Sequence, residues 1–388
     1  MATISTKSVL ALSVAALVLA AAPAATARPS PPGPSERCGT HDDVRRALTA
    51  LTAHDRIPGA SVLADGPCGR WAETAGTADL RTGRPMNTTD RLRVGSVTKT
   101  FTATVVLQLA AEHRLSLNAS VDHYLPGLID VHGYDGRHVT VRQLLRHTSG
   151  LPDYLDAPEW EHPERLRYHH FEPAELIARA LELPRPQGSW HYATTNYLLL
   201  GLIVREVTGH SPEDEIDRRL IRPLGLHDTY WPGDETRIRG AYSRSYFTND
   251  DGQRSDGTDW NVTVGGVGGA LVSTQADLTR FATALLGGRL LPTAQLAEMR
   301  RTVAADPDRL WPGARYGLGL ISSPLPCGGV WWGHAGTVPG GHRALVAVGP
   351  GGRSVAVALN QVPDSLQAEL DFQDLVDKSL CVSERTSA

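Results

Sequence analysis

The chain has 388 residues, with 38 basic side chains against 42 acidic ones and a net charge of −4. The two signs are interspersed, which excludes a basic face for nucleic acid and a polybasic membrane patch. Past the first residues no stretch approaches the roughly twenty apolar residues of a membrane span.

The N-terminus reads as an export signal over residues 1–27. Lys7 gives a modest positive start, Val9 to Ala22 form a short apolar segment, and Ala25-Thr26-Ala27 offers a small-x-small cleavage site. A secreted, extracellular protein with no membrane span in the mature chain is expected. Residues 28–37, with Pro29 to Pro34 rich in Pro and Ser, read as a disordered lead-in. Cys38, Cys68, Cys327 and Cys381 have no C-x-x-C spacing, so an exported chain would use them in two disulfides rather than on a metal. Three connectivities are open, and pairing within each half of the chain closes the shorter loops.

Asp42 to Ala53 has helical spacing of Val44, Leu48 and Leu51, and strand-like runs follow at Ala60 to Ala64 and Trp71 to Ala75. A helix after Val94-Gly95 carries an apolar stripe of Phe101, Val105, Val106 and Leu109. From Leu117 to Pro223 the pattern is helical: Thr140 caps Val141 to Arg146, Glu172 to Leu183 is amphipathic, Thr195 to Val207 closes at Gly209, and Ser211-Pro212 opens another helix. Gly265 to Gly269 reads as a flexible glycine cluster, and Thr274 caps a helix through Leu286. Strands return at Gly329 to Gly333, Arg343 to Val348 and Arg353 to Asn360, the last two joined by the hairpin signal Gly349-Pro350-Gly351-Gly352, and a helix from Ser365 to Leu380 closes the chain. The expected fold is α/β, an antiparallel sheet flanked by helices with an inserted all-helical subdomain. Its α/β part takes residues 38–116 and 262–381, its helical part 117–261, and 382–388 form a tail.

Only three lysines occur, at 7, 99 and 378, among many arginines. A guanidinium cannot act as a base near neutrality, whereas an ammonium can be pushed toward the neutral amine. Lys99 stands three residues after Ser96, the spacing at which one helical turn brings an amine to a hydroxyl. That pattern suits a nucleophilic serine with its own base. The plainer reading, a helix cap beside a solvated charge, does not account for the surrounding motifs.

Ser96-x-x-Lys99, Tyr192-Ala193-Thr194 and His334-Ala335-Gly336-Thr337 fall in the order of three motifs of the serine β-lactamase and penicillin-recognising hydrolase family. The chain resembles its class C branch, and especially the secreted bacterial D-alanyl-D-alanine carboxypeptidases. Framing segments agree: Val139 to Leu145 before His147-Thr148-Ser149-Gly150-Leu151, Trp190-His191-Tyr192, and Tyr316-Gly317-Leu318-Gly319-Leu320. The resemblance implies the serine β-lactamase and DD-peptidase fold, and an acyl-enzyme on Ser96 with Lys99 or Tyr192 as base. It also implies that His334 supplies polarity or positive charge opposite Tyr192, and that the backbone N–H groups of Ser96 and Thr337 form an oxyanion hole. Gly336, Thr194 and a cleft-lining Trp260 would complete the substrate site, although Tyr192 and Trp260 would equally serve as packing aromatics and His334 as a structural histidine. A Cys327–Cys381 bridge is implied too, with Cys38 and Cys68 the remaining pair. No cofactor or metal is needed, and His162, His169 and His170 read as surface.

Departures bear on the substrate. Thr194 stands where an asparagine is usual and Ala335 replaces a hydroxyl residue. Ile321 occupies the place of an arginine that holds a substrate carboxylate, leaving Arg343 as another source of that charge. The expected substrates are therefore small D-residue peptides, esters or β-lactams, handled by a monomer. Carboxypeptidase, esterase, D-aminopeptidase and β-lactamase activities share this machinery. A non-catalytic penicillin- or wall-peptide-binding protein would need none of Ser96, Lys99 and Tyr192.

Overall fold

The computed structural model describes residues 40–381 apart from 68 and 250. The export segment, the lead-in, the tail, and Cys38 and Cys68 with their expected pairing lie outside the described residues. In chain order the strands are β1 (Gly59–Gly66), β2 (Gly69–Asp79), β3 (Arg84–Pro85), β4 (Leu92–Arg93), β5 (Tyr246–Thr248), β6 (Arg254–Asp256) and β7 (Val272–Ser273). They continue as β8 (Val303–Ala304), β9 (Arg315–Tyr316), β10 (Ile321–Pro324), β11 (Val330–Thr337), β12 (Arg343–Val348) and β13 (Ser354–Leu359). Nine of them form one sheet in the order β3-β2-β1-β13-β12-β11-β10-β9-β8, and every pairing in it is antiparallel.

The sheet is covered on both faces at its centre, and the sequence of its central strands explains this. In β12 and β13, Leu345, Ala347, Val355, Val357 and Leu359 pack with Val44, Leu48 and Leu51 of the helix Asp42–Ala53 and with Phe372, Leu375 and Val376 of the helix Leu366–Leu380. The alternate residues Ala344, Val346, Ala356 and Ala358 join the other core, which includes Leu278 and Phe281 of the helix Gln275–Leu286. Successive strand side chains point to opposite faces, so a continuous apolar run is what a doubly covered strand requires. On the second face Gln275 Nε2 donates to Ala356 O at 2.6 Å and to Ser61 O at 3.1 Å, tying that helix to two strands.

The helix Thr98–Ala111 differs from the expected striped helix, because every residue from Thr98 to Leu107 is buried. Its threonines meet the resulting demand for partners: Thr100 Oγ1 donates to Gly319 O at 2.8 Å and Thr102 Oγ1 to Val267 O at 2.6 Å. A helix buried on all sides belongs in an interior, and this one sits between the sheet and the helical region. That region contains the helices Val141–Arg146, Pro173–Leu181 and Thr195–Thr208. Thr140 and Gln143 form a reciprocal capping box at the first. The glycines 265–269 are also built in rather than loose: Gly266–Gly269 makes a helical turn against the Thr98–Ala111 helix. Cys327 and Cys381 are bridged, fastening the turn before β11 to the end of the last helix.

Candidate active site

Ser96 lies in a 3₁₀ turn, Gly95–Val97, between β4 and the buried helix. The turn is clamped against the end of β11 by two glycines. Gly95 has φ +52°, and a Cβ there would lie 2.5 Å from Thr337 O; a Cβ on Gly336 would lie 2.0 Å from Val94 O and 2.8 Å from Ser96 N. Only glycine permits this backbone-on-backbone approach. β10 pairs with β11 only as far as Gly333, so the outer edge of β11 is free from His334 onward. Val338 N donates to His342 O at 3.0 Å and Thr337 lies opposite Arg343. By the alternation of an antiparallel ladder, the Thr337 N–H therefore points away from β12. The amides of Ser96 and Thr337 can thus act as two oxyanion donors.

Lys99 is fully buried. Its Nζ is 3.0 Å from Ser96 Oγ, 3.3 Å from Thr194 Oγ1 and 2.9 Å from Gly268 O. Burial disfavours the ammonium and lowers its pKa from 10.5 to about 7, with the Asp153 carboxylate opposing the shift. The glycine cluster has a chemical role here: a Cβ on Gly268 would lie 2.8 Å from Thr194 Cγ2 and 3.4 Å from Lys99 Nζ. Thr194, though shorter than the usual asparagine, still reaches the lysine.

Tyr192 is half-buried in the loop before the helix Thr195–Thr208, with its ring centroid 5.0 Å from Lys99 Nζ. Burial raises its phenol above the ordinary value, and a hydrogen bond with Ser96 opposes that shift. In the free protein Lys99 is therefore the group able to take up a proton, while Tyr192 stays protonated. His147 anchors this loop from both sides. Its carbonyl accepts from His191 N at 2.9 Å, and its Nδ1 faces Ala193 N and Asn196 Nδ2, each at 3.2 Å. The His147 ring also lies 4.3 Å from that of Tyr192. Burial, reinforced by the Lys99 charge, keeps His147 neutral, so the proton sits on Nε2.

His334 borders the same cleft, and of the two expectations, polarity or positive charge, its surroundings favour polarity. Burial lowers its pKa to about 3. Its Nδ1–H donates to Ala335 O at 2.6 Å and its Nε2 accepts from the Tyr316 hydroxyl at 2.8 Å, which fixes the neutral tautomer. His334 is thus a polar, uncharged wall 6.4 Å from Tyr192, ring centre to ring centre. Trp260 is placed elsewhere. It is 2 % exposed and packs with Val262, Ala270 and Val338, because Gly340 closes over its ring and its carbonyl is held by Arg93 Nη2 at 3.0 Å. It lines no part of the cleft.

The cleft encloses about 580 Å³ and gathers Ser96, Tyr192, Thr194, His334 and Thr337. Leu155, Trp160, Leu310 and Trp311 give it an apolar wall, and Ile321 lines it where a carboxylate-binding arginine was the alternative. Two acidic groups there escape a motif reading. Asp153 is buried beside Thr194, accepting from the Leu155 and Thr194 amides, while burial raises its pKa. Glu369 reaches in from the last helix and pairs with Arg343 at 2.6 Å. Asp153 stands two residues past His147-Thr148-Ser149-Gly150-Leu151, so its nearness to a motif was the available signal; Glu369 offered none. Among the described residues no group of three or more His, Cys, Asp or Glu side chains could hold a metal ion, and no helix is long and apolar enough to cross a membrane.

A serine placed against a neutralisable lysine, with two free amides beside it, is equipped for acyl transfer, and the chain is a serine hydrolase. It belongs to the beta-lactamase family, whose model matches residues 44–377. Penicillin-binding protein 4 of Amycolatopsis lactamdurans is 31% identical over 333 residues, which cover 82% of this chain and 84% of that protein. A D-aminopeptidase of Cereibacter sphaeroides is 32% identical over 222 residues, which make up 54% of this chain; the chain spans only 42% of that longer protein. The solved structure of a D-stereospecific amidohydrolase from Streptomyces sp. superposes with a TM-score of 0.80 at 36% identity, covering 88% of this chain and 99% of that one.

Proposed function

We propose that the protein is an exported hydrolase that cleaves amides, esters and short peptides of D-amino acids through an acyl-enzyme on Ser96. The observation that carries this reading is the 3.0 Å contact between Ser96 Oγ and a Lys99 amine whose pKa is lowered to about 7. Ser96 Oγ attacks the substrate carbonyl carbon while its proton passes to Lys99 Nζ. The carbonyl oxygen takes the electron pair and is held by the Ser96 and Thr337 N–H groups. As the tetrahedral centre collapses, the bond to the leaving amine or alkoxide breaks and Tyr192 gives it a proton, which the Lys99 ammonium replaces. Water then attacks the ester on Ser96 with the same groups run in reverse, releasing the acid.

The D-residue substrate class comes from the similarity to a D-aminopeptidase and a D-stereospecific amidohydrolase. Ile321 in the cleft wall supports amide or ester substrates over the free-acid peptides of a carboxypeptidase, since an aliphatic chain repays none of the cost of desolvating a carboxylate. Export is supported by the leader pattern of residues 1–27 and by the Cys327–Cys381 bridge, which persists in an oxidising compartment. The test is kcat/KM on matched D- and L-alanyl amides and esters beside D-Ala-D-Ala acid. A preference for D over L of at least about tenfold is expected. Equal turnover of the enantiomers, or a strong preference for the free acid, would overturn the substrate class.

A further inference from the structure

One wall of the cleft carries a charge pair that this acyl-transfer scheme leaves unused. Arg343, in β12, donates from Nη1 to Thr337 Oγ1 at 2.9 Å and from Nη2 to Glu369 Oε1 at 2.6 Å. Both partners border the cavity that holds Ser96, Tyr192 and His334. Their side chains are 12% and 27% exposed, so water screens the pair only in part. Phe372 lies against the guanidinium, with its ring centroid 5.0 Å from Cζ, and limits its movement. The arrangement puts a cation next to a residue of the oxyanion edge and then cancels its charge with a carboxylate from another element.

We infer that Glu369 determines which substrate ends the cleft accepts: by neutralising Arg343 it selects D-residue derivatives with an uncharged amide or ester end over those with a free carboxylate. The inference rests on the hydrolase reading above and specifies its substrate class. An unpaired guanidinium beside Thr337 would offer a substrate carboxylate charge-assisted, two-point binding. With Glu369 in place, an incoming carboxylate meets a like charge at nearly the same distance and gains little for losing its water. Among the described residues that line the cleft, no other cation relieves this. Arg309 is engaged by Asp156 at 2.8 Å, Asp153 adds a further acidic group, and Ile321 is apolar. An amide or ester end brings no charge to desolvate and can accept from or donate to the same pair.

The experiment compares kcat/KM for D-Ala-D-Ala as the free acid and as its C-terminal amide in wild type, Glu369→Gln, Arg343→Gln and the double variant. Glu369→Gln keeps the length and an acceptor oxygen while removing the charge, and Glu369→Ala replaces it should that protein not fold. The acid-to-amide ratio is expected to rise roughly tenfold or more in Glu369→Gln and to fall back toward wild type in the double variant. An unchanged ratio in a folded, active Glu369→Gln protein overturns the inference. So does an equal loss on both substrates, each of which carries a free amino group, because it would make Glu369 an ammonium reader instead. A wild type that turns over neither substrate and acylates nowhere refutes the hydrolase reading itself, so the two failures are distinguishable.

Discussion

Replacing Lys99 with methionine keeps an unbranched side chain of similar length while removing the amine that contacts Ser96 Oγ at 3.0 Å. Burial lowers the Lys99 pKa from 10.5 to about 7, so about half of the molecules carry a neutral amine at pH 7. An unperturbed lysine would be neutral in only about one molecule in three thousand at that pH. Loss of a positioned base typically costs about 10²–10⁴ in rate, and a drop of that size in acylation is expected for Lys99→Met. Stopped-flow acylation by a chromogenic D-residue ester reads it directly. The wild-type rate should rise through a midpoint near pH 7 and level off above it, and the residual rate of Lys99→Met should lack that limb. Stability should rise with pH as well, and the substitution should raise it at low pH while it lowers activity. Below pH 7 the folded and unfolded states both hold the Lys99 proton, so the cost of the buried charge is fully present there. Between pH 7 and 10.5 only the unfolded state binds it, and wild-type stability gains with rising pH. Lys99→Met should accordingly be the more stable protein at pH 6, by at most about 5 kcal/mol, in a denaturant titration. Near-normal acylation by a folded Lys99→Met protein, or a rate limb centred near pH 10, would refute the reasoning.

Three further outcomes follow from the same geometry. His147→Ala removes the acceptor shared by Ala193 N and Asn196 Nδ2 and empties space against Tyr192, so it should lower the Tm and slow acylation by roughly tenfold even well below that Tm; unaltered acylation would mean the Tyr192 loop holds itself. Gly336→Ala forces a Cβ to within 2.0 Å of Val94 O and should abolish Ser96 labelling by pushing the nucleophile turn off β11, with wild-type labelling as the contrary result. Cys327→Ser with Cys381→Ser opens a loop of 54 residues and should cost about 4 kcal/mol in the chain-entropy model, checked by thermal melting against the reduced and oxidised wild type.

The residues proposed to do the chemistry were legible because the motif spacing is itself geometric. Ser96 and Lys99 lie one turn apart wherever that segment goes, and Tyr192 stands in the loop just before a largely buried helix. The long strands of the sheet were legible for the same reason, since residues 344–348 and 355–359 are apolar without interruption. Two-residue strands such as β3, β8 and β9 carry no periodicity to read. The charge state of His334 was out of reach because it depends on Tyr316, which comes from another strand, and on the depth of burial. Trp260 is misleading for a related reason: a large aromatic near a cleft motif looks the same in sequence whether its ring faces the cavity or, as here, lies under Gly340. Asp153, His147 and the Arg343–Glu369 pair act through contacts between distant segments, which no local pattern records. The glycines 265–269 resemble a loose linker in sequence, yet the need to pass Gly268 close to Thr194 and Lys99 explains them better than freedom of motion does.

The central claim is that Ser96 becomes covalently acylated. Intact-mass measurement after brief incubation with a β-lactam or a fluorophosphonate, followed by peptide mapping, tests this most directly. The account predicts a single adduct on the peptide containing Ser96 in wild type and none in Ser96→Ala, with both proteins folded. Equal labelling of the two proteins, or an adduct mapped to another residue, would contradict it.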